Sequence, residues 1–301
     1  RLLGEAAGQP SETLAEFRVL MQRLGIGRAK GRWTNWTWDA NPRDCTVMAD
    51  LLFKGARAIG LRRRPGDIAG WPEVQRALSA VALTPSERRL YEATWREFRR
   101  EWGLLGGSTR KPAGWAADLR FRQKASLLRV SGTTVFADLL MEEGHAVAIS
   151  VAFLETAATL VEALRGAGWR ADAITGAQSG EANEAVRLAF QTDGLDAVVF
   201  TVTESISLHA HELPGGEKPR ALIVHDLRHS AIQLTQIEGR CHRDGQQATI
   251  HYALAEGTVE ESIAATVVGR MAAMDAMAGE DTTLIDAIAQ AIAAVQAAEA
   301  A

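Results

Sequence analysis

Two arginines three positions apart, Arg240 and Arg243, form the part of the sequence best suited to phosphate chemistry. They stand beside Gly239 in the stretch QIEGRCHRDGQ, residues 236–246, after a predicted helix that itself follows a buried strand. The planar guanidinium group offers a phosphate two parallel, charge-assisted hydrogen bonds. An arginine that reaches from one lobe into a nucleotide held by another lobe stabilises charge on the transferred phosphoryl group. Taken alone, the same spacing is more typical of surface arginines in salt bridges.

Several histidines and paired carboxylates have residue types that could form a second site. The histidine spacings match no zinc-ligand pattern, and adjacent carboxylates on a helix point in different directions. His225 and Asp226 at a strand end are interpreted as a structural turn. The sequence therefore predicts no metal site and no glycosidase-like acid pair. The residues concerned are His209, His211, His225, His229 and His242, with the pairs Glu142/Glu143 and Glu260/Glu261.

The elements that must position the two arginines change in character near residue 135. From there, short apolar strands alternate with helices, which indicates a parallel sheet covered on both faces. The sequence thus predicts an α/β fold. Predicted strands are 146–151, 171–174, 197–203, 221–225 and 249–254, and predicted helices are 135–143, 155–167, 180–191 and 231–239.

The first part of the chain reads as helices and loops, with no sustained strand pattern before residue 75. A capped helix is predicted from residues 10–13 through Leu24. Trp33, Trp36 and Trp38 lie in a predicted loop, where they either anchor the segment to a core or stack on bases. Further predictions are helices at 45–59, 87–102 and 119–130, a strand at 77–83, and closing helices at 257–278 and 282–300.

The net charge also changes sign near residue 130. Residues 1–130 hold 24 Lys and Arg against 13 Asp and Glu, a net of +11, whereas residues 131–301 hold 9 against 24, a net of −15. A basic half joined to an acidic half indicates a polyanionic partner, or two halves that neutralise each other. On the first interpretation, Arg96, Arg99 and Arg100 of the helix 87–102 contact nucleic acid.

The stretch at 236–246 resembles the last helicase motif of Swi/Snf-type superfamily 2 motors, whose form is Gln-x-x-x-Arg-x-His-Arg-x-Gly-Gln. Other segments that resemble this family follow in its order, and together they span residues 55–265. They are LRRRPGDI and VALTPSERRLYEATWREF upstream, HAVAISVAFLETAATLVEAL (145–164), ITGAQSGEANEAVRLAFQTDGLDAVVFT (174–201), TVTESISLHA (201–210), LIVHDLRHSAIQLTQ (222–236) and ALAEGTVEESI (253–263).

The resemblance implies a C-terminal RecA-like lobe over residues 131–265. A segment from the end of the first motor lobe (1–75) and a basic helical protrusion (76–130) would precede it, and a helical tail (266–301) would follow. It also implies a DNA helicase or translocase that uses ATP and Mg²⁺, with duplex DNA and an N-terminal RecA-like lobe as partners. Arg240 and Arg243 would then face the γ-phosphate at an open surface of the lobe. The nucleotide would also lie near Gln236 and Gly239, and the DNA backbone near Ser150, Phe153, Thr175, Thr203 and Ser205.

The chain also departs from the family. Glu204, Ser205 and Ser207 stand where the family's fifth motif has glycines, so the backbone there is less permissive. The stretch HELPGGEKPR (211–220) looks like an insertion and favours a phage or bacterial relative. These 301 residues contain neither a P-loop nor an Asp-Glu box. We therefore expect no ATP turnover from this chain alone, and a non-motor binding module or an RNA helicase lobe remains an alternative.

Composition adds few constraints. The chain is 47% hydrophobic and 23% charged, which is ordinary for a globular protein. No apolar run is long enough for a membrane span. There is no signal-peptide pattern after Arg1, and Cys45 and Cys241 suit a reducing compartment. We therefore expect a fragment that acts in the cytoplasm of a bacterial or phage-infected cell, without a membrane partner.

Overall fold

The computed structural model describes residues 13–30, 35–37, 42–54, 68–72, 74–104, 112–201, 206–228, 231–243, 245–255 and 258. Contacts divide the chain into two compact units. The smaller one comprises residues 1–69, 229–231 and 264–301, and the larger one comprises residues 70–228 and 232–263. The predicted closing helices lie outside the described residues, and the domain boundaries drawn from the sequence stay predictions.

The smaller unit begins with the predicted capped helix. Thr13 accepts a hydrogen bond from the Glu16 backbone, and the Glu16 carboxylate accepts one from the Thr13 backbone. This reciprocal pair satisfies two amides that the first turn cannot. Helix α1 (Leu14–Arg23) follows, then antiparallel strands β1 (Arg28–Lys30) and β2 (Asn35–Thr37), and helix α2 (Pro42–Ala49) with a π-helical turn, Asp50–Lys54.

The expectation that this region has no strands is therefore wrong, and Trp36 lies in β2 rather than in a loop. Three-residue strands are too short to show alternation in a sequence. Trp33 and Trp38 lie outside the described residues.

A six-stranded sheet forms the larger unit, and every neighbouring pair of its strands is parallel. The strand order is β3-β8-β7-β4-β6-β5. Every residue of β4, β6 and β7 is buried, as expected for apolar strands covered on both faces. The strands are β3 (Gln75–Ala80), β4 (Ala146–Ser150), β5 (Ala171–Ile174), β6 (Ala197–Phe200), β7 (Arg220–Val224) and β8 (Ala248–Leu254).

Helices complete the α/β architecture. The predicted RecA-like parallel sheet is confirmed, and the helix predicted at 180–191 has the bounds expected, because Ser179 caps it through the Ala182 amide. Among the described residues, no helix is both long enough and apolar enough to cross a membrane. The helices are α3 (Pro85–Leu104), α4 (Pro112–Leu128), α5 (Val130–Glu142), α6 (Leu154–Gly166), α7 (Gly180–Gln191) and α8 (Ala231–Glu238).

Helices α3 and α4 pack together through one aromatic face. Tyr91, Trp95 and Phe98 recur at helical spacing on α3 and contact Phe121 of α4, with ring centroids 5.0–5.8 Å apart. Two ion pairs flank this contact, Glu101 with Arg120 and Glu97 with Lys124. Glu97 and Glu101 thus face α4, whereas Arg96, Arg99 and Arg100 of α3 are exposed.

The connections change direction beside β4. The chain leaves β4 through α6 toward β5, on the β6 side, whereas it leaves the adjacent β7 through α8 toward β8, on the other side. Such a reversal opens a crevice at the carboxyl ends of the two strands, where open α/β sheets bind ligands. The β4–β7 crevice is therefore the natural binding edge of this sheet.

Candidate nucleotide and nucleic-acid interface

Arg240 and Arg243 lie in the loop that joins α8 to β8. Arg240 is half-buried, and its guanidinium Nη1 donates to the Ile206 carbonyl at 2.9 Å, while its own carbonyl accepts from the Leu208 amide at 2.8 Å. Arg243 is exposed, and its carbonyl accepts from the Gln246 amide at 2.8 Å. Arg240 thus departs from the expectation of an open surface position, because it also fastens the segment that follows β6.

Residues on either side of Arg240 fix the loop to the start of β3. The buried Glu238 carboxylate accepts two hydrogen bonds from Arg76, at 2.7 and 2.9 Å, and a third from the Tyr252 hydroxyl. His242 Nε2 donates to the Pro72 carbonyl at 3.1 Å, and Nδ1 accepts from a backbone amide at 3.4 Å. Burial lowers the pKa of His242, which favours this neutral form. The arginine loop is therefore held at two points around Arg240.

Gln236 and Gly239 lie at the same end of α8 as the arginines. Gln236 is exposed and Gly239 is half-buried. The only carboxylate among residues 236–242, Glu238, is already occupied by Arg76. The cationic donors at this end of α8 are therefore the side chains of Arg240 and Arg243, which suit a polyphosphate. The described residues contain no cluster of acids, histidines or cysteines that could hold a metal ion.

The predicted DNA contacts lie at the other end of the sheet. Ser150, Phe153 and Thr175 follow or end strands, whereas Arg240 and Arg243 precede β8. At about 3.3 Å per residue, strands of this length separate the two groups by roughly 15–20 Å. Arg240 and Arg243 therefore lie near the amino ends of the strands. The candidate DNA-binding residues lie near the carboxyl ends.

These DNA candidates differ in accessibility. Ser150 is 0% exposed, and its hydroxyl has no hydrogen-bond partner in the described part of the chain. The Thr175 side chain is almost buried, and its amide donates to Gln178 and Asn183, both at 3.1 Å. Phe153 is half-buried at the start of α6. Their contact with DNA stays a prediction, and Thr203 and Ser205 lie outside the described residues.

A buried polar network at the β4–β7 crevice has no obvious sign in the sequence. The Asp226 carboxylate accepts from Arg129 at 2.8 Å, from Ser126 at 2.9 Å and from the Ala152 amide at 2.7 Å. Arg129 is only 3% exposed, so it does not belong to the basic surface that its neighbours on α4 suggest. Asp226 therefore fastens the loop after β4 and the end of α4 to the end of β7.

His225 completes this network in its neutral form. Its Nε2 donates to the Ser126 carbonyl at 3.0 Å, since a carbonyl can only accept, and its Nδ1 accepts from the Thr133 hydroxyl at 2.8 Å. Burial and the charge of Arg129 lower the pKa of His225 to about 4. Burial alone would raise the pKa of Asp226, but its interactions with His225, Arg129 and two further donors leave it below the ordinary value.

The basic face of α3 is exposed as predicted from its sequence. Arg96, Arg99 and Arg100 are all exposed, and they form no ion pair or hydrogen bond with other described residues. Glu97 and Glu101 on the same helix are already paired with α4. The three arginines thus present uncompensated positive charge to solvent.

The segment 211–220 is anchored at the amino ends of β6 and β7. Asp193 accepts from the Glu217 and Lys218 amides at 2.7 and 2.9 Å and from buried Arg220 at 2.7 Å. A side chain at Gly216 would overlap the Gln191 carbonyl, because an added Cβ would lie 1.7 Å from that oxygen. Close packing therefore requires a glycine at position 216.

These features define a RecA-like α/β lobe with an arginine loop at one edge and a basic helix pair at its flank. No protein-family model matches the chain, and no curated protein is similar to it in sequence. Solved structures do share its fold. The chain is similar to the Sulfolobus solfataricus SWI2/SNF2 ATPase core domain, with 17% identity and a TM-score of 0.50 over 66% of this chain.

Two further structures show the same likeness. The Sulfolobus solfataricus SWI2/SNF2 ATPase core in complex with dsDNA gives a TM-score of 0.54 at 16% identity over 71% of this chain. The C-terminal part of the Fun30 ATPase domain gives 0.50 at 12% identity, covering 73% of this chain and 96% of that one. The chain spans 43% and 48% of the two Sulfolobus structures. At these identities the likeness shows a shared fold.

Proposed function

We propose that this chain supplies the C-terminal motor lobe of an ATP-dependent DNA translocase or helicase. The observation that carries this proposal is the arginine loop, in which Arg243 is exposed and Arg240 is fixed between β3 and the segment after β6. The sequence of that loop resembles the last motif of Swi/Snf-type motors. A solved structure of the same fold is a SWI2/SNF2 ATPase core in complex with dsDNA, which supports duplex DNA as the partner.

In this function the arginine loop faces a nucleotide held by a separate first lobe. Arg243 and Arg240 would donate to the γ-phosphate, with Gln236 and Gly239 close to the nucleotide. ATP with Mg²⁺ supplies the phosphoryl group, and the P-loop and Asp-Glu box that bind it belong to the first lobe. Arginines in this role raise phosphoryl-transfer rates by about 10³–10⁵ where they are known. Fixing Arg240 in advance reduces the cost of ordering it at each closure.

Duplex DNA would bind along the edge that carries Phe153 and along the exposed face of α3. Such contacts position the motor on the sugar-phosphate backbone and carry no sequence information. Closure of the two lobes around ATP would then move the DNA-binding edge relative to the first lobe. The separation between the arginine loop and this edge suits a lobe that couples two ligands.

The test is DNA-stimulated ATP turnover by the two-lobe enzyme with Arg243→Ala. We expect the maximal rate to fall by about a hundredfold or more, because a transition-state donor is lost, while nucleotide affinity changes little. Arg243→Lys should rescue poorly, since it keeps the charge but loses the planar fork. Arg165→Ala is the matched control, because it removes an arginine paired with Asp172 at the start of β5.

Thermal unfolding of the same variants separates catalysis from stability. Arg240→Ala should lower the melting temperature as well as the rate, because Arg240 also holds the Ile206 carbonyl. Arg243→Ala should lower the melting temperature less than Arg240→Ala, because Arg243 is exposed. Full turnover by a stable Arg243→Ala enzyme would refute the role of this arginine, and a motor lobe that needs neither arginine would favour a binding module.

A further inference from the structure

Two arginines from distant parts of the sequence meet at the β4–β7 crevice. Arg228 follows β7, and its Nη2 donates to the Val151 carbonyl, which follows β4, at 2.6 Å. Arg122 comes from α4, and its Nη2 donates to the Leu227 carbonyl at 3.0 Å. Each guanidinium is therefore fixed by a neutral backbone acceptor at the carboxyl edge of the sheet.

Neither arginine forms an ion pair with a carboxylate of the described residues. Asp226 is occupied by Arg129, Ser126 and the Ala152 amide. Glu155, in the first turn of α6, accepts from Gln123 at 2.9 Å. Each of the two arginines makes one hydrogen bond to the described chain, and the Arg228 Nε is buried without a partner. Their other N–H donors thus have no partner in the described chain.

Neighbouring like charges are unfavourable unless an anion joins them. Burial lowers the pKa of Arg228, the charge of Asp226 opposes this effect, and the smaller effect of the nearby Arg122 charge lowers the pKa further. Helix α6 begins at the same edge, and its N-cap residue, Phe153, provides no side-chain cap. The first-turn amides of α6 therefore add donors and a positive dipole end, both of which suit an anion.

We propose that Arg122 and Arg228 form a binding site for a phosphate of the DNA backbone at the β4–β7 crevice, and this inference rests on the DNA-binding function proposed above. The fixed pair of forks suits the tetrahedral phosphate oxygens. The site is roughly 15–20 Å from the arginine loop, so the phosphates of one nucleotide do not reach both. The DNA backbone carries many phosphates, so one of them can occupy this site while a nucleotide lies at the arginine loop.

The experiment measures binding of a short duplex DNA to the 301-residue chain at several salt concentrations. Arg122→Gln and Arg228→Gln should each weaken binding about tenfold at low salt, and each should reduce the slope of log affinity against log salt by about 0.9, the effect of one lost phosphate contact. Arg120→Gln is the matched control on the same helix. Its charge is paired with Glu101, so the slope should stay unchanged.

Inorganic phosphate is the second probe, and it separates this site from the proposed function. Phosphate should raise the melting temperature of the wild-type chain and should not raise that of Arg122→Gln or Arg228→Gln. If phosphate stabilises only the wild type but no DNA binds, the site stands and the DNA function fails. If DNA binds equally to all variants, the site is refuted while the function stands.

Arg228→Lys tests whether Arg228 is merely structural. Lysine can still donate to the Val151 carbonyl, but it lacks the fork, so it should fold normally and still lose DNA affinity. If Arg228→Gln lowers the melting temperature without changing the salt slope, the arginine only holds the loop and the proposal is wrong.

Discussion

Asp226 illustrates how one carboxylate organises the binding edge of this sheet. It is 4% exposed and receives donors from α4, from the loop after β4 and from Arg129. A buried charge is tolerated only when it is paired and hydrogen-bonded. Because Asp226 satisfies Arg129, the two charges hold α4 and β7 together. The neighbouring Arg122 and Arg228 therefore project from a fixed frame.

His225 gives this frame a predictable dependence on pH. The folded protein binds a proton on His225 only near pH 4, whereas an unfolded histidine binds it near pH 6.5. Between these values the unfolded state holds the extra proton, so stability rises with pH and is lost as the pH falls. The shift corresponds to about 3 kcal/mol of unfolding free energy.

Denaturant unfolding between pH 7 and pH 4 measures this loss. His225→Gln should be less stable at pH 7, because the Thr133 and Ser126 contacts change, yet its stability should fall less toward pH 4. The control is His211→Asn, which replaces an exposed histidine at φ 60° with a residue that tolerates this conformation. Parallel pH profiles for wild type and His225→Gln would show that His225 does not carry the effect.

At the scale of elements, helix α3 presents two different faces. Its aromatic face packs against Phe121 and Ala125 of α4, and Glu97 and Glu101 are paired with basic side chains of α4. The remaining face carries Arg96, Arg99 and Arg100. A solvated basic face needs no partner, but a row of arginines that forms no ion pair with the described residues also suits a phosphate backbone.

Replacing Arg96, Arg99 and Arg100 together with alanine tests whether this face binds DNA. Each lost phosphate contact should reduce the slope of log affinity against log salt by about 0.9, so three contacts give a fall of about 3. The melting temperature should not change, since all three side chains are exposed. Fluorescence anisotropy with a labelled duplex measures the slope.

The double variant Arg120→Ala/Lys124→Ala is the control for α3, because both residues lie on the adjacent helix and are paired with acids. It should leave the slope nearly unchanged. A slope that the triple variant does not alter would assign these arginines to a solvated surface, and DNA affinity would then rest on the crevice.

The elements that the sequence predicts well are those with long apolar patterns. Strands β4, β6 and β7 are continuous apolar runs, and the helix at Gly180–Gln191 has a serine cap at its start, so both periodicity and caps mark them. The missed features depend on distant partners. Arg129 pairs with Asp226, 97 positions away, and Arg76 with Glu238, 162 positions away. Local pattern cannot show whether such a charge is buried.

Local sequence pattern also fails to show the distant contacts of the candidate site. The motif at 236–246 singles out Arg240 and Arg243 only through its resemblance to the last Swi/Snf-type helicase motif, because their spacing alone is more typical of surface salt bridges. It cannot show that Arg240 also holds the Ile206 carbonyl, since that contact joins different elements. Arg122 lies outside the segments that resemble the helicase family, and the resemblance over 222–236 assigns no role to Arg228, so only the fold places the two together.

At the scale of the whole molecule, the positive charge collects in residues 1–130, and the sheet belongs mainly to the acidic half. The arginine loop lies at the amino end of β8, and the crevice lies at the carboxyl ends of β4 and β7, so the two are at opposite ends of the strands. If a nucleotide binds at the arginine loop and DNA at the crevice, closure around the nucleotide would also move the bound DNA, provided that the sheet moves as a rigid body. The buried strands β4, β6 and β7 supply that rigidity.

The final prediction concerns ATP turnover by these 301 residues alone. They contain arginines suited to a γ-phosphate but no Gly-x-x-x-x-Gly-Lys-Ser/Thr cradle for the other phosphates. An arginine donor accelerates phosphoryl transfer only when the nucleotide and its metal ion are already positioned. We therefore expect no significant turnover with or without DNA, and DNA-stimulated turnover once a first lobe with a P-loop is supplied. Phosphate release measures both, and the control is a first lobe whose P-loop lysine is replaced by alanine. Turnover above about one per second by the chain alone, within the ordinary range for enzymes, would mean that the chain holds ATP by other residues, and the two-lobe mechanism would have to be abandoned.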